Sequence, residues 1–154
     1  MMDPKVLILV GSESDRPPMQ GCLEYLDRFG IPYEFLVSSA HRSPDKTRKL
    51  AVEARGRGVR VLICAAGMAA ALPGVVAAHT TLPVIGVPLD GSSLSGVDSL
   101  HAIVQMPPGV PVATMAIGAA GAKNAAIFAA QMLALSDPEI AAKLEAFKIE
   151  LASR

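Results

Sequence analysis

Tryptophan is absent from this chain, and tyrosine and phenylalanine number only two and four. Stacking surfaces for a flavin are therefore scarce. Cysteine is almost as rare. Cys22 and Cys64 stand in apolar periodic segments without the CxxC or CxxH spacing of a zinc site or redox pair, so they read as buried, reduced thiols. Neither sign of charge is in excess, with 14 Lys plus Arg against 14 Asp plus Glu. That balance removes the global field that favours nucleic acid or an anionic membrane. Every charge-free stretch is broken by Gly, Pro or polar residues before it reaches the roughly 20 apolar residues of a membrane span. The start, Met1-Met2-Asp3-Pro4, lacks a basic region and runs straight into a short strand, so no signal peptide is expected. The expected setting is the cytoplasm, with no nucleic-acid or membrane partner.

What is present is apolar matter in a regular order. Hydrophobic residues make up 51% and charged residues 18%, and the length suits one domain, 1–154. Strand patterns are predicted at 5–10 (KVLILV), 33–37, 59–64, 84–87 and 112–117. Met19, Cys22, Leu23, Leu26 and Phe29 recur at helical spacing until Gly30 stops them. Ser43-Pro44 reads as an N-cap and first-turn proline, opening a helix to about Gly58. Further helices are predicted at 72–79, 99–105 and 119–135. A C-terminal helix at 138–152, capped by Asp137, carries Ile140, Leu144, Phe147 and Leu151 on one face. Strands alternating with helices imply right-handed crossovers and a parallel sheet covered on both faces. The expected fold class is α/β: a three-layer α/β/α, doubly wound parallel sheet of flavodoxin-like type.

Charge is distributed unevenly along that order. Between Val61 and Ser136 the only ionic residues are Asp90, Asp98 and Lys123. The helix at 119–135 is apolar almost all round, the pattern of a helix buried on every side. A monomer would leave a large uncharged face in water, so a homo-oligomer is expected, centred on that helix.

Ligands of open α/β sheets sit beyond the carboxyl ends of the strands. After the first strand comes Gly11-Ser12-Glu13-Ser14-Asp15, where a glycine turn, two hydroxyls and helix amides suit a phosphate, or where the same residues simply cap a helix. It is neither a Walker A motif nor GxGxxG. After the second comes Ser38-Ser39-Ala40-His41-Arg42-Ser43-Pro44. Histidine changes charge near neutrality and arginine clamps phosphate or carboxylate, so this pair is a candidate for catalysis. After the third strand, residues 65–74 offer backbone amides and a close-approaching apolar surface, suited to a flat uncharged group or to plain packing. After the fourth, Gly91, Ser92, Ser93, Ser95 and Gly96 make 88–98 a candidate lid or interface loop. His79 and His101 fall on helical patterns and read as structural. No metal spacing links the three histidines, so no metal is expected from them.

Taken together, these segments resemble one family. GSESD at 11–15, SAHRSP at 39–44, AALPG at 70–74, PVIGVP at 83–88, LSGVDSLHAIVQMP at 94–107 and GVPVATMAIGAAGAKNAA at 109–126 are similar to the bacterial N5-carboxyaminoimidazole ribonucleotide mutase family. The resemblance runs from about Lys5 to Leu135. It implies a flavodoxin-like cytoplasmic homo-octamer without cofactor or metal. The implied activity is that of an isomerase of purine synthesis, converting N5-carboxyaminoimidazole ribonucleotide to 4-carboxy-5-aminoimidazole ribonucleotide. Carried over by position, His41 is the general acid/base and Arg42 a phosphate ligand. Ser12 and Ser14 match substrate-binding residues and Asp15 a ribose hydroxyl acceptor. Ser39 and Ala40 neighbour the phosphate and base, while Gly67 and Leu72 flank the imidazole and its carboxyl group. The third loop departs from the family pattern Gly-Gly-Ala-Ala-His-Leu-Pro-Gly: Met68 replaces a glycine and Ala71 the histidine.

Two other functions remain open on the sequence. A related carboxylase takes free carbon dioxide and aminoimidazole ribonucleotide; that branch carries lysine after the histidine, against Arg42, and lacks the loop histidine, as Ala71 does here. A non-catalytic nucleotide- or flavin-binding module is the alternative of another class, against which the missing tryptophan counts.

Overall fold

The computed structural model describes residues 2–154; Met1 lies outside them. Its centre is a five-stranded, all-parallel sheet in the order β2-β1-β3-β4-β5, the flavodoxin-like order expected above. The strands are β1 (Val6–Val10), β2 (Tyr33–Val37), β3 (Val61–Ala66), β4 (Val84–Pro88) and β5 (Ala113–Thr114). Side chains alternate across the sheet. Val6, Ile8 and Val10 face a core shared with helices α1 (Gln20–Phe29), α5 (Ala119–Ala134) and α6 (Pro138–Ala152). Leu7 and Leu9 face the other core, with α2 (Pro44–Glu53), α3 (Leu72–Ala78) and α4 (Val97–Val104). β1, β3 and β4 are buried throughout, whereas β2, at one edge, is half-buried at every residue. No helix among the described residues is long and apolar enough to cross a membrane.

Local signals explain the boundaries. Gly30 ends α1 in the left-handed conformation at φ +69°, which costs glycine nothing. The Asp137 carboxylate accepts hydrogen bonds from the Glu139 and Ile140 amides at 3.0 and 3.3 Å, capping α6. Of the face predicted for that helix, Ile140 and Phe147 are buried, while Leu151 is exposed.

Four expectations need correction. Strand β5 is two residues long rather than 112–117. Met115 still donates to Gly86 O at 2.9 Å, but the chain then turns to feed α5, and apolar residues continue through the turn. Helix α2 ends at Glu53 and passes through a 3₁₀ turn, Arg55–Arg57, to Gly58 at φ +89°. Ser43 occupies the N-cap position without capping: its hydroxyl donates to Ser39 O at 3.2 Å instead. Finally, α5 is not buried on every side within one chain. Ala122, Ala125, Ala126, Ala129 and Ala130 form one buried face against the chain's own core, and Ala119, Ala120, Lys123 and Asn124 are exposed.

Candidate active site

The loops that leave β1, β2, β3 and β4 at their carboxyl ends enclose a cavity of about 950 Å³. It straddles the point where the strand order reverses, between β1 and β3. Ser12, Ser14, Asp15, Ser39, Ala40, His41, Arg42, Gly67 and Leu72, drawn from separate segments, all border it.

The β1 loop resolves both readings of its residues. Ser12 caps a single 3₁₀ turn, Glu13–Asp15, in a capping box. Its hydroxyl accepts from Ser14 N at 3.4 Å and from the Ser14 hydroxyl at 3.1 Å, while Ser12 N donates to Asp15 Oδ2 at 3.1 Å. The capping residues and the cavity wall are the same residues. Burial pushes the Asp15 carboxyl up from its ordinary value, against the pull of the Ser12 and Gly11 amides and the nearby Arg42 charge.

The β2 loop is tied to this turn by Arg42. Its guanidinium donates to Gly11 O at 3.2 Å and to the Ser39 hydroxyl at 3.4 Å, which also accepts from Arg42 N at 3.1 Å. Beneath the turn the buried Ser38 and Thr47 hydroxyls bond each other at 2.7 Å, and Thr47 donates to Ser43 O at 3.2 Å. These bonds brace the turn from below, and His41 projects from it exposed, without a hydrogen bond among the described residues.

The third wall, Ala66 to Leu72, brings no ionisable group. Met68 and Ala70 hold φ of +54° and +43° without being glycine, a conformation costing an L-residue about 1–2 kcal/mol. Met68 thus keeps the left-handed turn that a glycine makes freely, and its side chain is 66% exposed. Ala71 sits just before α3 and presents only a methyl group.

Pro18, Leu89 and Asp90 also border the cavity and were not singled out from sequence. For Asp90 a signal existed: it is the first ionic residue after Arg60. Of the loop 88–98, only the first part reaches the cavity. The rest folds into turns held by Ser92 Oγ donating to Asp98 at 2.9 Å and by the buried Ser99 hydroxyl donating to Leu89 O at 2.7 Å. His79 lies apart, on a concavity of about 450 Å³ with Arg55, Thr80 and Thr81, and His101 is exposed on α4. Cys22 and Cys64 are unpaired and buried; burial pushes the Cys22 thiol up to about 12 and the Cys64 thiol up as well, which leaves both unreactive. Among the described residues no cluster of three His, Cys, Asp or Glu could hold a metal ion.

With this geometry in view, comparisons with known proteins converge. The family described as AIR carboxylase matches residues 5–154. A Vibrio vulnificus protein named N5-carboxyaminoimidazole ribonucleotide mutase is 54% identical over 146 residues, 95% of this chain and 91% of that protein. A Schizosaccharomyces pombe phosphoribosylaminoimidazole carboxylase is 54% identical over 144 residues, 94% of this chain but 26% of that protein. The crystal structure of Treponema denticola PurE superimposes with a TM-score of 0.87 at 30% identity, covering 97% of this chain and 92% of the other.

Proposed function

The chain belongs to the AIR carboxylase family, and from that membership we propose that it is an isomerase of purine synthesis, converting N5-carboxyaminoimidazole ribonucleotide to 4-carboxy-5-aminoimidazole ribonucleotide. The observation that carries the reading is a single cavity in which a proton carrier, an arginine and an apolar backbone-lined wall meet. The similarity to proteins named as this mutase, over nearly their whole length, supports it. The carboxylase name belongs to a protein of which this chain matches about a quarter.

The residues suit the chemistry. Arg42, with the Ser39 and Ser12–Ser14 hydroxyls, takes the phosphate; Asp15 accepts from a ribose hydroxyl. The base then lies along the wall from Ala66 to Leu72. As the carbamate C–N bond breaks, protonated His41 gives N5 its proton, leaving an amine and carbon dioxide. The enamine-like C4 attacks the retained carbon dioxide, forming the C–C bond, and the C4 proton passes to neutral His41, which restores the aromatic ring. One histidine serves both transfers because each leaves it in the state the other needs. The apolar wall withholds solvation from the carbamate, which favours loss of carbon dioxide.

The deciding experiment offers the purified protein each of two substrates, with and without bicarbonate. Conversion of the carbamate without bicarbonate is expected. Turnover only of aminoimidazole ribonucleotide, and only with bicarbonate, would make it the direct carboxylase; a yellow, flavin-loaded preparation without turnover would make it a binding module.

Arg42→Ala is expected chiefly to raise KM, by about tenfold or more, since hydrogen bonds to charged groups contribute about 1.5–3 kcal/mol. A variant that lost kcat alone would remove Arg42 from the phosphate. Because its guanidinium also ties Gly11 O to the β2 loop, some loss of kcat should accompany the rise.

A cytoplasmic location fits this reading, as do two unpaired thiols. We also propose a closed homo-oligomer, an octamer by resemblance. Its support is the exposed apolar stripe of Leu94, Val97 and Val104, along α4 and its approach, in the charge-poor half of the chain. Light scattering should give a multiple of the 16.0 kDa chain mass, reduced in Val97→Glu/Val104→Glu; the mass of one chain with full activity would refute assembly.

A further inference from the structure

The cavity has two charged ends. Strand order places the β2 loop, with Arg42, and the β4 loop, with Asp90, three strand spacings apart along the carboxyl edge, about 14 Å. Between them lie the β1 turn and the apolar wall. That row is long enough for a phosphate, a ribose and a base set end to end. An anion is drawn to Arg42 and repelled by Asp90, so a nucleotide with its phosphate at Arg42 points its base towards β4.

Among the described residues, Asp90 and Asp15 are the only carboxylates on the cavity wall, and they differ in their commitments. Asp15 is engaged by the amides of its own turn and by the Arg42 charge. Asp90 makes no hydrogen bond or ion pair among the described residues. It is exposed, with two glycines beside it. A Cβ at Gly96 would come within 3.2 Å of Asp90 Cα, and one at Gly118 within 3.7–3.9 Å of its carboxylate. Gly118 N is itself anchored to Pro88 O at 2.8 Å. Gly96 thus admits the Asp90 backbone closely, while a Cβ at Gly118 would stand at ordinary contact distance from the carboxylate. An exposed acceptor on the cavity wall, not engaged by a protein donor, is open to a donor on the ligand.

We propose that Asp90 is a specificity-determining residue of this cavity, its carboxylate accepting a hydrogen bond from the exocyclic nitrogen of the aminoimidazole. The inference rests on the mutase reading above and goes beyond it in saying how the base is distinguished. The exocyclic nitrogen keeps at least one N–H in the carbamate, the free amine and the product, so the contact serves each. Nucleotides with no N–H at that position lose the contact.

The test compares two ligands by calorimetry: 5-aminoimidazole ribonucleotide and imidazole ribonucleotide, which lacks the amine. The native protein should bind the first about tenfold more tightly or better. Asp90→Ala should bind both alike, with the affinity for imidazole ribonucleotide little changed, and Asp90→Asn, which keeps a neutral acceptor, should retain part of the preference. A merely structural role would weaken both ligands together. Equal binding by the native protein, or an undiminished preference in Asp90→Ala, overturns the assignment and leaves the mutase reading standing. A native protein that binds neither nucleotide overturns that reading and this inference together.

Discussion

Replacing His41 with asparagine is expected to cut turnover by about 10²–10⁴-fold or more while nucleotide affinity changes little. The expectation follows from where the side chain stands. His41 is exposed on a turn and forms no hydrogen bond among the described residues, so it contributes little to holding the fold. The turn itself is secured by neighbours: Ser43 N donates to Ser39 O at 2.9 Å, and the Ser38–Thr47 hydroxyl pair lies buried below. Asparagine keeps a polar group of similar reach at one ring position but cannot exchange a proton near neutrality. Both proposed proton transfers then lose their carrier. No second histidine borders the cavity, since His79 and His101 lie elsewhere and Ala71 stands where the family pattern has one. The loss should therefore fall on kcat, with melting temperature unchanged. Turnover within a few fold of the native rate would remove His41 from the chemistry.

Much of this site was legible in the sequence because a parallel α/β sheet places its ligand by topology. Once β1, β2 and β3 were recognised as strands, the residues following each were bound to meet at one edge, and they do. Strand β2 was read to the residue and α1 to its glycine stop, since alternation and left-handed termination are written in single positions. Other features depend on partners distant in the chain. The apolar run at 112–117 looks alike whether paired or turning, and only β4's register ends the ladder at Thr114. Asp90 went unnoticed because Gly and Ser around it suggest a lid, whereas Gly96, which approaches its backbone closely, comes from the loop's far end. The left-handed backbone of Met68 and Ala70 was equally hidden, as neither residue type signals it.

Gly121→Ala is expected to be the most damaging small substitution in the chain, lowering the melting temperature by on the order of 10 °C or preventing folding. Helix propensity argues the other way, since alanine is favoured over glycine by about 1 kcal/mol inside a helix. Packing decides. A Cβ at Gly121 would stand 1.6 Å from Ala116 O and 2.7 Å from Ala116 C. Those atoms are backbone, and they cannot swing aside as a side chain would. The first turn of α5 would have to withdraw from the segment that joins it to β5. That segment is anchored on both sides, by Met115 N on Gly86 O at 2.9 Å and Gly118 N on Pro88 O at 2.8 Å. Relief therefore breaks ladder hydrogen bonds or lifts the buried alanine face of α5 from the core. Gly56→Ala is the control: nothing lies within 4 Å of a Cβ there, so stability should change by less than about 1 kcal/mol. A melting temperature within a degree or two of the Gly56→Ala control would show that the connection yields where the geometry says it cannot.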